Sequence, residues 1–152
     1  LLVIAGALPR GMSFKPYEEI IEKLNLPEYV KTFIEFIPDE DVDYYFAASD
    51  LVVLPYINFE SQSGVLLRAY AHKKPVVVSN VGAMGGIVNA DKTGEIVEPN
   101  DEKSLAAAIN KVLKKNDVYK SSFNSGLENI FNWGHIGKMT LQCYEKAISQ
   151  KM

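Results

Sequence analysis

From Leu1 to about Pro99 the chain alternates apolar runs of strand length with stretches whose apolar residues recur at helical spacing. "LLVIAG", "DLVVLPY" and "PVVVSNV" are continuous apolar runs and "GEIVEP" is a shorter one. Such runs suit strands buried on both faces. "YVKTFIEF" carries a partly regular period of two through Val30, Phe33 and Phe36 and reads as a further strand. Phe14, Tyr17, Ile20, Ile21 and Leu24 form a helical stripe after the first run. Asp39, following Pro38, is the expected N-cap of a short helix through Ala48, and another helix is expected from about Gln62 to His72. This order predicts right-handed crossovers and a mostly parallel sheet covered on both faces.

Beyond "GEIVEPND" the pattern becomes helical. Leu105, Ala108, Ile109, Val112 and Leu113 make one stripe; Val118, Phe123, Leu127 and Ile130 make a weaker one; Trp133, Ile136, Thr140, Tyr144 and Ala147 make a third, whose spacing suits packing against the domain. Asn100 or Asp101 should cap the first of these helices and Asn132 the last. No repeat, low-complexity tract or Pro/Ser linker interrupts the chain, so one domain is the default expectation.

Composition narrows the partners. The 152 residues are 47% hydrophobic, enough to bury a core of ordinary domain size. A formal charge of −3, with Lys and Arg never more than two in a row, argues against nucleic acid. Cys143 is the single cysteine, and with only His72 and His135 beside it there is no closed zinc set. No apolar run reaches the length of a bilayer span and no basic leader precedes a signal core, so a cytoplasmic domain is expected. "LLVIAG" opens in mid-strand, which suggests a fragment of a longer protein.

The candidate chemistry lies in "YINFESQSGVLLRAYAHKKPVVVSNVG", residues 56–82. In an open parallel sheet, ligands bind outside the carboxyl ends of the strands, where loops lead into helix starts. The amides of Ser63, Gly64 and Val65 would be free donors of the helix after "DLVVLPY", and the helix dipole adds to them an affinity for phosphate. Gly64 has no side chain to block an approach. Arg68 stands one turn further along the same helix face. Glu60 is either an acceptor for ligand hydroxyls or a solvated loop acid, and Arg68 either a ligand donor or a surface residue paired with an acid. "DEDVD" contains Asp-x-Asp twice, but acids are favoured in the first turn of a helix in any case.

The segment "DLVVLPYINFESQSGVLLRAYAHKKPVVVSNVGAMGGIV" resembles the donor-binding half of retaining GT-B glycosyltransferases of group 1 (family 4), and the similarity continues through "VIAGALP", "FIPDEDVDYYFAASD", "TGEIVEPND" and "NWGHIGKMTLQCYEKAI". It implies a Rossmann-like, three-layer α/β donor domain that binds a nucleotide-diphosphate sugar, with a helical C-terminal third, lacking here its first strand and the preceding acceptor domain. By position, Glu60 matches the acid that orients the donor sugar. Gln62, Ser63, Gly64 and Val65 match the segment at the diphosphate and sugar, Gly82 and Ala83 the next loop of that pocket, and Phe36, Ile37 and Pro38 the loop along the base. No metal or other cofactor is implied, and peripheral membrane association of the full enzyme is compatible with it.

Two residues depart from the family pattern. The second acid, which in the family accepts from ribose hydroxyls, is Arg68 here, and arginine only donates. The glycine of the Gly-Lys-Pro turn is Lys73, which should adopt a left-handed backbone at a cost of about 1 kcal/mol. The loop Arg and Lys that hold the diphosphate in the family have no counterparts, so the isolated chain is expected to be inactive. Two alternatives remain: a donor-like binding or regulatory module that has lost a critical acid, and a sugar-nucleotide epimerase of related architecture, for which the cleft His and acids are not found.

Overall fold

The structure, a computed structural model, describes residues 1–123 and 133–150. Contacts gather in two compact units, Leu1–Tyr45 and Phe46–Met152. The physical basis is that the strands form two separate parallel sheets, each with its own packing.

In the first unit β1 (Leu2–Ala5) pairs in parallel with β2 (Val30–Phe33), with Leu2 opposite Val30 and Ala5 opposite Phe33. Strand β2 is shorter than the sequence pattern suggested, and Phe36 falls beyond it, 77% exposed. Helix α1 (Lys15–Lys23) begins with Pro16 in its first turn, where the missing N–H costs nothing. It ends with Asn25 at φ 54°, as the amides of Asn25 and Leu26 bond back to Glu22 and Ile21. That is the six-to-one closure that favours Gly or Asn in the left-handed position. Helix α2 (Asp39–Ala48) carries Asp39, Glu40 and Asp41 in its first turn. The Pro38 carbonyl accepts from the Asp41 and Val42 amides, so the helix starts at Asp39 instead of being capped by it.

The second unit contains β3 (Val52–Leu54), α3 (Gly64–Ala71), β4 (Val76–Ser79), α4 (Met84–Asp91), β5 (Gly94–Val97), α5 (Glu102–Lys114), α6 (Asn116–Ser122) and α7 (Trp133–Ser149). The sheet order is β3-β4-β5, all parallel. Because side chains alternate across a strand, Val76 and Val78 join Leu54, Leu66, Tyr70, Met84, Val88 and Phe123 on one face, while Val77 meets Val97, Ala108 and Val112 on the other. All four residues of β4 are buried, as its unbroken apolar sequence implies. Gly94 is required where β5 crosses β4, because a Cβ there would come within 1.8 Å of the Val76 carbonyl oxygen.

Two helix ends show how sequence sets termination. Lys73 has φ 52°, and the amides of Lys73 and Lys74 close onto the carbonyls of Tyr70 and Ala69. This is the left-handed termination expected for a position where glycine is the easier residue. Asp101 caps α5: its carboxylate accepts from the Ser104 amide at 2.9 Å and from the Ser104 hydroxyl at 2.6 Å, and these bonds hold its carboxyl below the usual range. Leu127, Ile130 and the expected cap Asn132 lie outside the described residues. Helix α7 departs from expectation, since none of its residues is buried. Both faces of β4 are already covered without it, leaving its apolar stripe no core to enter among the described residues.

Candidate functional site

Three parallel strands each followed by a helix bring the starts of α3, α4 and α5 to one end of the sheet of the second unit. Ser63 is the N-cap of α3, with extended backbone and only 3% exposure. Its hydroxyl accepts from the Leu66 amide at 3.3 Å and its carbonyl from the Leu67 amide. The amides of Gly64 and Val65 precede the first helical hydrogen bond and carry the positive end of the dipole. A Cβ built on Gly64 would meet nothing within 4 Å, so the space before this helix is open. Gln62 lies in the preceding loop and is exposed, two residues short of the helix it was expected to begin.

Arg68 is half-buried in the last turn of α3, one turn beyond Gly64, and it has an interaction partner within the protein. Leu66, Ala69 and Tyr70 form the buried face of the helix. Glu60 is exposed on the loop between β3 and α3. That loop is fixed on one side by Phe59, which packs on the core and lies 4.8 Å from the Tyr56 ring, and on the other by buried Ser63. Gly82, in the turn after β4, has φ 54° and lies directly against this loop: a Cβ there would be 2.7 Å from the Phe59 carbonyl oxygen and 3.1 Å from that of Ser61. Ala83 is the N-cap of α4 and offers no side-chain cap. Glu60, the start of α3 and the Gly82–Ala83 turn thus belong to one end of adjacent strands.

Phe36, Ile37 and Pro38 belong to the first unit, in the β2–α2 connection, with Phe36 exposed and the other two half-buried. His72 ends α3 and stacks on Phe46 at 5.7 Å, a packing role. Sequence reasoning passed over the aromatic anchor of the Glu60 loop. Its only signal was the i, i+3 spacing of Tyr56 and Phe59 in "YINFE". It also missed the link from the Asn80 side-chain amide to the Glu98 carboxylate, at 3.1 Å, which ties the turn after β4 to the end of β5. Among the described residues no group of three or more His, Cys, Asp and Glu side chains could hold a metal ion, and no helix is long and apolar enough to cross a membrane.

Helix starts at the carboxyl ends of parallel strands are where open α/β sheets commonly take their ligands. Comparison with known families makes this specific: residues 1–125 match the family described as glycosyl transferases group 1, and the chain belongs to it. The D-inositol 3-phosphate glycosyltransferase of a Nocardioides strain is 31% identical over 121 residues, which is 78% of this chain and 26% of that protein. The alpha-maltose-1-phosphate synthase of Mycolicibacterium smegmatis is 31% identical over 122 residues, covering 74% of this chain and 31% of the relative. Among solved structures, sucrose-phosphate synthase from Thermosynechococcus elongatus superposes with a TM-score of 0.76 at 25% identity, over 98% of this chain and 39% of that one. Anabaena Alr3699/HepE, solved in complex with UDP, gives 0.81 at 23% identity over 95% and 40%, a likeness of fold. The chain therefore spans between a quarter and two-fifths of the length of these relatives.

Proposed function

We propose that this chain is the donor-binding domain of a GT-B glycosyltransferase and binds a nucleotide-diphosphate sugar whose glycosyl group passes to an acceptor with retention. The carboxylate of Glu60 accepts hydrogen bonds from two donor-sugar hydroxyls and fixes the orientation of the ring. The Gly64 and Val65 amides and the α3 dipole face the diphosphate and stabilise the charge that builds on it as the glycosidic bond breaks. Arg68 donates to the diphosphate or to ribose oxygens, as arginine cannot serve as the acceptor found in the family. Gly82 and Ala83 border the sugar pocket. No metal is required by this arrangement. The acceptor and any catalytic base belong to a further, preceding domain, and the whole enzyme is cytoplasmic. The exposed Trp133, Met139 and Tyr144 of α7, with Lys138 and Lys146 beside them, support peripheral membrane association.

The observation that carries this reading is the shared position of Glu60, the open start of α3 and the Gly82 turn at the ends of β3 and β4. Isothermal titration of the 152-residue chain with UDP, GDP and their sugars tests it. Selective binding of one nucleotide, tightened by its sugar, is expected; no binding of any would overturn the proposal. Replacement of the family's second acid by Arg68 favours one other reading, a donor-like module without transfer activity, and absence of nucleotide binding would support that reading instead.

A further inference from the structure

We infer that Gly82 is a positioning residue for Glu60: it acts by having no side chain, which lets the backbone around Glu60 settle directly on the turn after β4. This rests on the donor-sugar role proposed for Glu60 and extends it to a residue that need not touch the ligand. Three atoms surround the place where a Gly82 Cβ would stand, and all belong to the Glu60 loop: the Phe59 carbonyl oxygen at 2.7 Å, the Ser61 carbonyl oxygen at 3.1 Å and the Glu60 carbonyl carbon at 3.5 Å. These are backbone atoms of three successive peptide groups, from Phe59–Glu60 to Ser61–Gln62, so no side-chain rotation relieves the clash.

Neither partner can retreat cheaply. On the Gly82 side, the Asn80 amide donates to the Val97 carbonyl at 2.8 Å, Val81 packs against the core and Met84 is fully buried. On the loop side, Phe59 is held by the core and by Tyr56, and Ser63 by its cap. Only residues 60–62 lie between those anchors. A methyl group at position 82 therefore displaces the segment that carries the Glu60 carboxylate. A shift of about 1 Å is enough to break directional hydrogen bonds to a sugar hydroxyl. The φ of 54° adds a second demand, which Asn meets far better than Ala.

The test compares the wild type, Gly82→Ala, Gly82→Asn, Glu60→Gln and the Gly82→Ala/Glu60→Gln double variant, titrated with UDP, UDP-glucose, GDP and GDP-mannose, with thermal melts in parallel. In the wild type the sugar tightens binding of one nucleotide. Gly82→Ala should abolish most of that sugar-dependent gain, about ten-fold or more, while leaving the affinity for the bare nucleoside diphosphate within about two-fold. Gly82→Asn, which accepts the backbone angle but still carries a Cβ, should behave like Gly82→Ala. The double variant should lose no more sugar-dependent affinity than Glu60→Gln alone. If Gly82→Asn binds as the wild type does, strain rather than contact explains the glycine and the inference falls. It also falls if the losses from Gly82→Ala and Glu60→Gln add. Should Gly82→Ala fail to fold, the Asn variant and amide shifts of Phe59–Gln62 in its NMR spectrum decide: unmoved resonances refute the contact. Failure of the donor reading itself looks different, since the wild type would then show no sugar-dependent gain at all.

Discussion

Tyr70 and Thr93 allow a prediction that depends only on the core. The Tyr70 phenol and the Thr93 hydroxyl share a hydrogen bond between α3 and the approach to β5, with Tyr70 3% and Thr93 0% exposed. Burial pushes the phenol up to about 12, against the Thr93 hydrogen bond and with help from the Asp91 charge, so it stays neutral throughout the ordinary range. Tyr70→Phe keeps the ring and its edge contact with Phe123 at 5.3 Å but strands the Thr93 hydroxyl. Thr93→Val keeps the shape and strands the phenol. Each single change leaves one buried polar group unpaired and should cost about 1–3 kcal/mol, whereas replacing both partners should cost much less than the sum and approach neutrality. Urea unfolding at pH 7 measures all four free energies, and melting temperature should fall by about 2–4 °C for each kcal/mol. Additive single losses would show that the two hydroxyls do not depend on one another and would refute the reasoning.

Gly94→Ala should be among the most damaging single changes in the chain, costing roughly 3 kcal/mol or more, because the new methyl meets the Val76 backbone inside the β4–β5 ladder; yield of soluble protein and a urea midpoint check this. Lys73→Gly should stabilise the chain by up to about 1 kcal/mol, read from the same midpoint, since it relieves a left-handed φ of 52°. Burial alone would raise the carboxyl of Glu95, but hydrogen bonds from Lys111 and Tyr119 and the charges of Lys111 and Lys115 outweigh it and hold the group below its ordinary value. With a lowered folded pKa, its contribution is present above about pH 4.5 and disappears as pH falls through the folded value. Glu95→Gln should therefore flatten the acid limb of a stability–pH curve, and an unchanged limb would count against the link. Arg68→Glu should weaken binding of a nucleoside diphosphate more than that of the matching nucleoside, by one charge-assisted contact of about 1.5–3 kcal/mol. Tighter diphosphate binding by that variant, in titrations at one fixed salt concentration, would overturn the phosphate role.

The most legible strand was β4, because burial on both faces demands an unbroken apolar run such as "PVVVSNV"; "LLVIAG" has the same look and does form β1, but that strand is largely exposed rather than buried on both faces. Among helix ends, the start of α5 was legible as a cap at Asn100 or Asp101, the left-handed Lys73 followed from its place at the glycine of the family's Gly-Lys-Pro turn, and α2 starts at Asp39 itself, the residue expected to cap it. The division into two units was not legible, since pairing between strands is a long-range choice that periodicity does not encode. Nor was the exposure of α7, because an amphipathic stripe specifies that a face seeks a partner without specifying which one. At the site, Glu60 and the Ser63–Gly64 start stood out as residue types with evident uses. The packing of the Gly82 turn against the Glu60 loop did not, because a glycine that works by what it lacks leaves no chemical mark on the sequence.

The three helix starts at one end of the β3–β4–β5 sheet differ in one consequential way. Repeating strand–helix units manufacture identical electropositive sockets, and a chain with several of them faces competition among its own sites for any negatively charged visitor. In α5 the Asp101 carboxylate has moved into the socket and been locked there by the Ser104 amide and hydroxyl, so this helix carries its own permanent counterion. Ser63 answers the same vacancy in α3 with a neutral hydroxyl, which satisfies the Leu66 amide while leaving the positive field uncancelled, and Ala83 in α4 adds no side-chain cap at all. The choice between a charged and an uncharged cap thus acts as an address: it cancels the field of the third socket and leaves that of the first two, the pair beside Glu60 in the proposed donor site, uncancelled.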